Sequence, residues 1–301
     1  MLNKDTMVAV EALRPLLRQF VCGEYGIAVG GAHAKNMADV ESDLDLYVFA
    51  RAVLPNPDRT RLTLQLASDI RDVISWGSTE PFEQAGTDFY LSNLKIECWL
   101  RNTASIERSI DECVEGVVRR DFVTWTTTGF YNHCSLSDLN SMIPVDDSSG
   151  ILARWKSRIR QYPPKLRDSI IKQHLGAARF WPNNFHYCSA IERQDVIYTT
   201  GIIQQVVHNL IQVLFAASRV YFPGDKKLSE SIAHLNHVPD HFQERVQSLL
   251  FPGVGATVAT LRDQQRELQE LLSVVEIIAL ENHGNETGEQ SHAADAEEPR
   301  R

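Results

Sequence analysis

The sequence predicts an α+β chain. A small mixed β-sheet with helices covers residues 1–105, an α-helical bundle domain covers 106–281, and a disordered acidic tail covers 282–301. Three observations lead there. The first hundred residues run β-turn-β, helix, β-β, an order that builds a mixed sheet and not a series of βαβ units. From about Ser105 the texture changes to long helical segments punctuated by proline and glycine. From Glu281 onward "ENHGNETGEQSHAADAEEPRR" holds six acids against two arginines and no large apolar side chain, too little to offset the entropy of ordering.

Taken in order, residues 7–20 place Val8, Leu13, Leu16, Leu17 and Phe20 at helical spacing and stop near Gly23. A strand near 26–30 opens into Gly30-Gly31, and a second strand covers 43–49. "RTRLTLQLASDIRDVISWG" reads as one helix ended by Gly77, and "DFYLSNLKIECWLRN" as two strands about a turn at Ser92-Asn93. Helices are then expected over 105–119, 148–160, 164–179, 191–220, 227–235, 239–250 and 257–281. The last carries Leu261, Leu268, Leu271, Leu272, Val275 and Ile278 at a spacing that fits a helix packed on the bundle or on a second copy in a homodimer.

Length and composition set the broad class. The 301 residues, 43% hydrophobic and 23% charged, are those of a globular protein with a real core. A net charge of −9 argues against a general nucleic-acid coat, which needs clustered Lys and Arg. The local exception is "RWKSRIRQYPPKLRDSIIK" (Arg154–Lys172), with seven basic residues against one Asp. It reads as a solvated helix face or as a positive wall toward an anionic substrate. Five scattered cysteines (22, 98, 113, 134, 188) without a CxxC suggest reduced thiols. No cleavable signal and no apolar run long enough to span a bilayer is read, so the expectation is a soluble cytoplasmic protein with no membrane partner.

The chemistry concentrates in "VGGAHAKNMADVESDLDLYVFA", Val29–Ala50. Asp43 and Asp45 stand two residues apart in a strand, so both carboxylates point to one face while Leu44, Leu46 and Val48 point to the other. Two carboxylates on one face repel unless a cation lies between them, and hard oxygen donors suit Mg²⁺. In "NLKIECWL", Leu94, Ile96 and Cys98 alternate with Lys95, Glu97 and Trp99, which makes Glu97 a third carboxylate. Apolar flanks should desolvate it and make it a better base. Asp88 is the competing choice. Gly30 and Gly31 let the backbone approach a phosphate closely.

These residues resemble the nucleotidyltransferase superfamily of DNA polymerase β and the antibiotic adenylyltransferases. The family pattern is a Gly-Gly-Ser turn, a polar helix start, then Ser-Asp-hydrophobic-Asp-hydrophobic. Gly30, Gly31, Ala34, Ala38, Asp39, Ser42, Asp43, Leu44, Asp45 and Leu46 fall in register with it without a gap. The resemblance implies that Asp43 and Asp45, with Glu97, hold Mg²⁺, that Glu97 completes the metal site or takes the acceptor's proton, and that Gly30, Gly31 and Ser42 position a nucleoside triphosphate. Two positions depart: the family serine is Ala32, and the later glycine of the turn is Asn36, which tolerates left-handed geometry. Losing one hydroxyl contact to a charged phosphate costs about 1.5–3 kcal/mol.

In the helical half, "LFAASRVYFPGDKKL" (Leu214–Leu228) and "VDDSSGILARWKSRIRQYPPKL" are similar to segments of the adenylyltransferases' C-terminal domain and of a related uncharacterised nucleotidyltransferase-like family. In such relatives a helical-domain lysine reaches the phosphates, which points to Lys226, with Lys227 second. His234, His237 and His241 are interrupted by Pro239 and read as surface and loop histidines.

Three functions are open at this point: Mg-dependent transfer of AMP from ATP to a hydroxyl of a small-molecule acceptor such as an antibiotic; transfer to RNA or protein, as in toxin–antitoxin pairs, with the basic stretch as docking surface; or nucleotide binding with catalysis lost, suggested by Ala32.

Overall fold

The computed structural model describes residues 2–39, 42–77, 82–124, 126–251, 253 and 255–294, with side chains described through residue 281. The elements run α1 (Lys4–Gln19), β1 (Val21–Val29), α2 (Gly31–Ala34), β2 (Leu44–Val53), α3 (Asn56–Leu64), β3 (Ile70–Gly77), β4 (Gln84–Leu91), β5 (Leu94–Asn102) and α4 (Thr103–Val114). They continue with β6 (Arg120–Asp121), β7 (Phe130–Tyr131), α5 (Asn132–Ser141), β8 (Ile143–Asp146), α6 (Ile151–Arg158), α7 (Pro164–Phe180) and α8 (Phe185–Glu192). The last are α9 (Val196–Ala217), α10 (Leu228–Ala233), α11 (Phe242–Leu250) and α12 (Val258–Ala294).

The chain forms two compact units: residues up to Glu112 together with Asn132–Gln161, and Cys113–Tyr131 together with the residues from Tyr162 onward. In place of one boundary at residue 105, the division falls inside α4, and a later stretch rejoins the sheet. That stretch supplies α5, β8 and α6, of which only α6 is foreshadowed in the sequence. β8 is four residues long and carries a proline, too short for alternation to register.

The first unit is built on a mixed six-stranded sheet in the order β3-β4-β5-β2-β1-β8. β2 and β5 are parallel and the other neighbours antiparallel. One face is apolar. Leu44, Leu46, Val48 and Ala50 of β2, Ile96, Cys98 and Leu100 of β5 and Phe89 of β4 are buried together with Val10, Leu13 and Leu17 of α1. The i, i+3, i+7 spacing of those helical residues is what lays α1 on the sheet. Asn3 caps α1 by accepting from Thr6 N at 2.8 Å.

The helix expected over 59–77 is corrected. α3 ends at Leu64, and Ile70–Gly77 is the edge strand β3, paired with β4. A register shift between Arg71 and Ile74, with Asp72 at φ +56°, interrupts the alternation that would have marked a strand.

The second unit is helical, with α7, α9 and α12 packed on one another. The long helix expected over 191–220 is broken at Gln194 (φ +55°), after which Asp195 caps α9 by accepting from Tyr198 N. α9 corrects a further expectation: by length and composition it could cross a membrane. Yet 78% of its apolar window is buried inside the protein, as befits a core helix. α12 is helical through Ala294, into the stretch the composition assigns to a disordered tail, and residues 295–301 lie outside those described. All five cysteines are free thiols.

Candidate active site

The polar face of the sheet collects the charges that the apolar face excludes. Side chains alternate along a strand and align across it. Thus Asp45, Tyr47 and Phe49 share one side of β2, and Lys95, Glu97, Trp99 and Arg101 the same side of β5. Asp45 pairs in register with Glu97, and Glu97 in turn with Asp88 of β4. Three carboxylates therefore lie in a lateral row across β2, β5 and β4. Asp43 stands just ahead of β2 and meets Lys95 through its side chain.

Lys95 closes that end. Its Nζ donates to Asp43 Oδ2 and to Glu97 Oε1, each at 2.7 Å. These bonds hold the ammonium well above its ordinary pKa. All three side chains are about one-third exposed (37% for Lys95, 31% for Asp43, 28% for Glu97). At that exposure such pairs are screened and contribute only about 0–1 kcal/mol each to stability. Their meaning lies in position: a cation already sits between two carboxylates from neighbouring strands.

The glycine turn is fitted onto this row. Gly30 N donates to Asp45 O at 2.9 Å, which pins the turn to β2. A Cβ on Gly31, at φ +57°, would lie 1.7 Å from Asp45 Oδ2, and one on Gly30 would meet the Tyr47 ring at 2.4 Å. Both glycines are thus required by close approach to the site's own side chains. Asn36 stands at φ +57°, the left-handed geometry expected of the residue in the family's glycine position. Ser42 bonds back to Asp39, its Oγ donating to Asp39 Oδ1 and accepting from Asp39 N, both at 2.9 Å.

Glu97 corrects one expectation. Its carboxylate lies on the polar face beside Lys95 and not among apolar flanks, because Ile96 and Cys98 point the other way. The desolvated acid is Asp88, whose carboxyl is raised mainly by burial and then by the neighbouring Glu97 charge, against the hydrogen bond from Trp76 Nε1 at 2.9 Å. Trp76 reaches Asp88 by lying across Gly86, where a Cβ would be 2.3 Å from the indole. It meets Trp99 edge-on, with ring centroids 5.2 Å apart. Beneath this pair, buried Arg59 of α3 donates to the carbonyls of Gly86 (2.7 Å) and Trp76 (3.0 Å) and to Thr87 Oγ1 (2.9 Å). At the other end α5 covers the face, bringing Ser135, Asp138 and Leu139 against Tyr47, Phe49 and Arg101.

Among the described residues no group of three or more His, Cys, Asp or Glu converges at metal-ligand spacing. The two carboxylates that flank Lys95, Asp43 and Glu97, are the donor type a hard cation takes, and a cationic group fills the gap between them.

Lys226 lies in the second unit, exposed, in the loop just before Lys227, which adopts φ +53° at the start of α10. Next to it, Asp225 accepts from the hydroxyl groups and amides of Thr127 and Thr128 at 2.5–3.0 Å. The basic stretch 154–172 is not a free positive wall. Within the first unit Arg154 pairs with Glu24, Arg158 with Asp111, and Lys156 donates to the carbonyls of Leu139, Asn140 and Met142. Within the second, Lys165 pairs with Glu115 and Arg167 is buried.

Sequence reasoning missed Lys95 as a member of the site, although the alternation that placed Glu97 places Lys95 on the same face two residues earlier. It also missed the Trp76–Trp99 pair and Arg59, which no local pattern marks.

Comparison with known proteins adds two findings. Residues 138–228 match a family described as a domain of unknown function, DUF4037, a span that takes in both of the helical-half segments already noted as family-like. Across 92% of this chain and 77% of the other, the fold is similar to a nucleotidyltransferase-like protein from Exiguobacterium sibiricum 255-15, at 10% sequence identity and a TM-score of 0.46. No curated protein matches the chain.

Proposed function

We propose that this protein is a Mg²⁺-dependent nucleotidyltransferase that moves AMP from ATP to a hydroxyl of a small-molecule acceptor. The observation that carries the reading is the register pair Asp45–Glu97, with the Gly30-Gly31 turn packed against Asp45. Bound Mg²⁺ would neutralise charge as it moves onto the leaving pyrophosphate. Asp43 and Asp45 would hold it, with Glu97 as the third carboxylate. The turn leaves backbone beside Asp45 with no side chain in the way, so a triphosphate can approach the carboxylate row. The acceptor oxygen forms a bond to the α-phosphorus, the bond from that phosphorus to the pyrophosphate oxygen breaks, and the hydroxyl proton passes to a carboxylate. Glu97 is assigned that proton because it is the register partner of Asp45, whereas Asp88 lies one strand further on and is engaged by Trp76.

Transfer to RNA or protein loses its main support, since most of the cations in 154–172 are spent on structural pairs. Nucleotide binding without catalysis is the second reading, favoured by Lys95 between the carboxylates and by Ala32 in the turn. A thermal-shift comparison of the four nucleoside triphosphates with Mg²⁺, on wild type and on Asp43→Ala/Asp45→Ala, tests the site. Metal-dependent stabilisation equal in both proteins would overturn it. Labelled-nucleotide transfer to candidate acceptors, with pyrophosphate release, then separates the enzyme from the binder.

A further inference from the structure

We propose that Lys95 is a built-in counter-cation of the Asp43–Glu97 pair, which a divalent ion must displace, so that this lysine sets the site's metal affinity. The inference rests on the reading of these carboxylates as metal ligands. Nζ stands 2.7 Å from one oxygen of each, on the line between strands where a bridging cation would balance them. An ammonium is a compact point charge with three donors, the side-chain group closest in kind to a hard metal ion facing oxygen ligands. The two cations compete because they use the same oxygens: the lysine's hydrogen bonds occupy the lone pairs a metal would take.

The arrangement is built and not incidental. β2 and β5 are parallel here, their register brings Asp45 opposite Glu97, and Asp43, the residue just before β2, meets Lys95 through its side chain. Lysine two residues before Glu97 on β5 therefore faces both carboxylates without leaving its strand. Its side chain is 37% exposed, and its flexible stem can turn outward to water when a metal enters. With Lys95 in place, each carboxylate of the pair has a compensating charge before any ion binds.

The test is direct Mn²⁺ binding, read from the free-ion signal in electron paramagnetic resonance, which needs no turnover. Lys95→Met removes the competitor and leaves two facing carboxylates, so Mn²⁺ should bind about tenfold tighter or better, the size of effect a neighbouring unit charge has on an ionic equilibrium. Lys95→Arg keeps a cation and should stay near wild type. Asp43→Asn added to Lys95→Met should abolish the gain, and circular dichroism of each variant checks the fold. If wild type binds Mn²⁺ in an Asp43-dependent way and Lys95→Met binds it no tighter, the role of Lys95 is overturned while the carboxylate assignment stands. If neither wild type nor Lys95→Met binds Mn²⁺, the metal-ligand reading falls and this inference falls with it.

Discussion

The side chain of Asp45 occupies the space that any side chain at position 31 would need: a Cβ on Gly31 would lie 1.7 Å from Asp45 Oδ2. The glycine turn and the aspartate are therefore one device. Gly31→Ala is expected to push the carboxylate out of the row and to force a left-handed φ on alanine. That strain costs about 1–3 kcal/mol, and the midpoint of thermal unfolding should fall by a few degrees. The core lies on the opposite face of the sheet, so the protein should still fold. What should vanish is the added stabilisation by Mg²⁺ and ATP, read as a thermal shift with and without the nucleotide. A variant that keeps the full ligand-induced shift would show that the turn does not serve the site.

Glu97 and Asp88 are neighbours in register but differ in surroundings, and the two can be told apart. Glu97→Gln removes the candidate base and third carboxylate, and transfer should fall by about 100-fold or more. Asp88→Asn keeps an acceptor for Trp76 Nε1 and should change transfer far less. It should also stabilise the protein at pH 7. Burial raises the Asp88 carboxyl in the folded state, so folding pays for its charge as pH rises above the unfolded value of about 4, and the neutral amide escapes that cost. The gain should disappear below pH 4, where the acid is protonated in both states. Unfolding midpoints of the two proteins across that range provide the check.

Arg59 is the support beneath the Trp76–Trp99 edge. Its guanidinium is buried, and it donates to Asn56 and to the carbonyls of Leu54, Gly86 and Trp76, tying α3 to β3 and β4. Arg59→Met fits the volume but leaves several buried acceptors without a donor, each costing about 1–3 kcal/mol. Denaturant unfolding should report a loss of several kcal/mol, and Lys at this position should recover only part of it, since it lacks the fork that reaches two strands at once. An unchanged midpoint would mean that these bonds are replaced by water at no cost.

How much of this was legible in the sequence depends on the range of the signal. The alternation in "SDLDLYVF" and "LKIECW" is local, so it puts Asp45 and Glu97 on strand faces, whereas Asp43 falls just ahead of β2, and Asn36 takes up the left-handed geometry its residue type tolerates. The register between β2 and β5, by contrast, is a long-range fact: nothing local says that Asp45 faces Glu97 or that Lys95 reaches Asp43. β3 was hidden because its register shift at Asp72 destroys the period-two pattern, and α3 ahead of it supplied a helical one. β8 was hidden by brevity, although Asp146 at its end holds Arg18 of α1 and Tyr25 of β1 at 2.7 and 3.1 Å. α9 shows the opposite failure, a core helix so apolar that its composition alone fits a membrane.

The helical unit should lose stability in mild acid through two buried histidines. His208 shares a hydrogen bond with Tyr131 at 3.0 Å, and His174 with Asn209 at 2.6 Å, inside the α7–α9 core. Burial, more than any neighbouring charge, lowers both to about 4, with each further disfavoured by Arg120. In the unfolded chain a histidine titrates near 6.5. The folded state therefore binds fewer protons than the unfolded one between these values. Stability is complete above about pH 6.5 and is lost as pH falls toward 4, by up to about 3 kcal/mol for each histidine. Urea unfolding at pH 7.5 and at pH 5 should show the loss. His174→Gln/His208→Gln should be weaker at pH 7.5, from poorer packing, yet change much less between the two pH values. If the double variant shows the wild-type slope, the acid sensitivity arises elsewhere and these two rings are not its source.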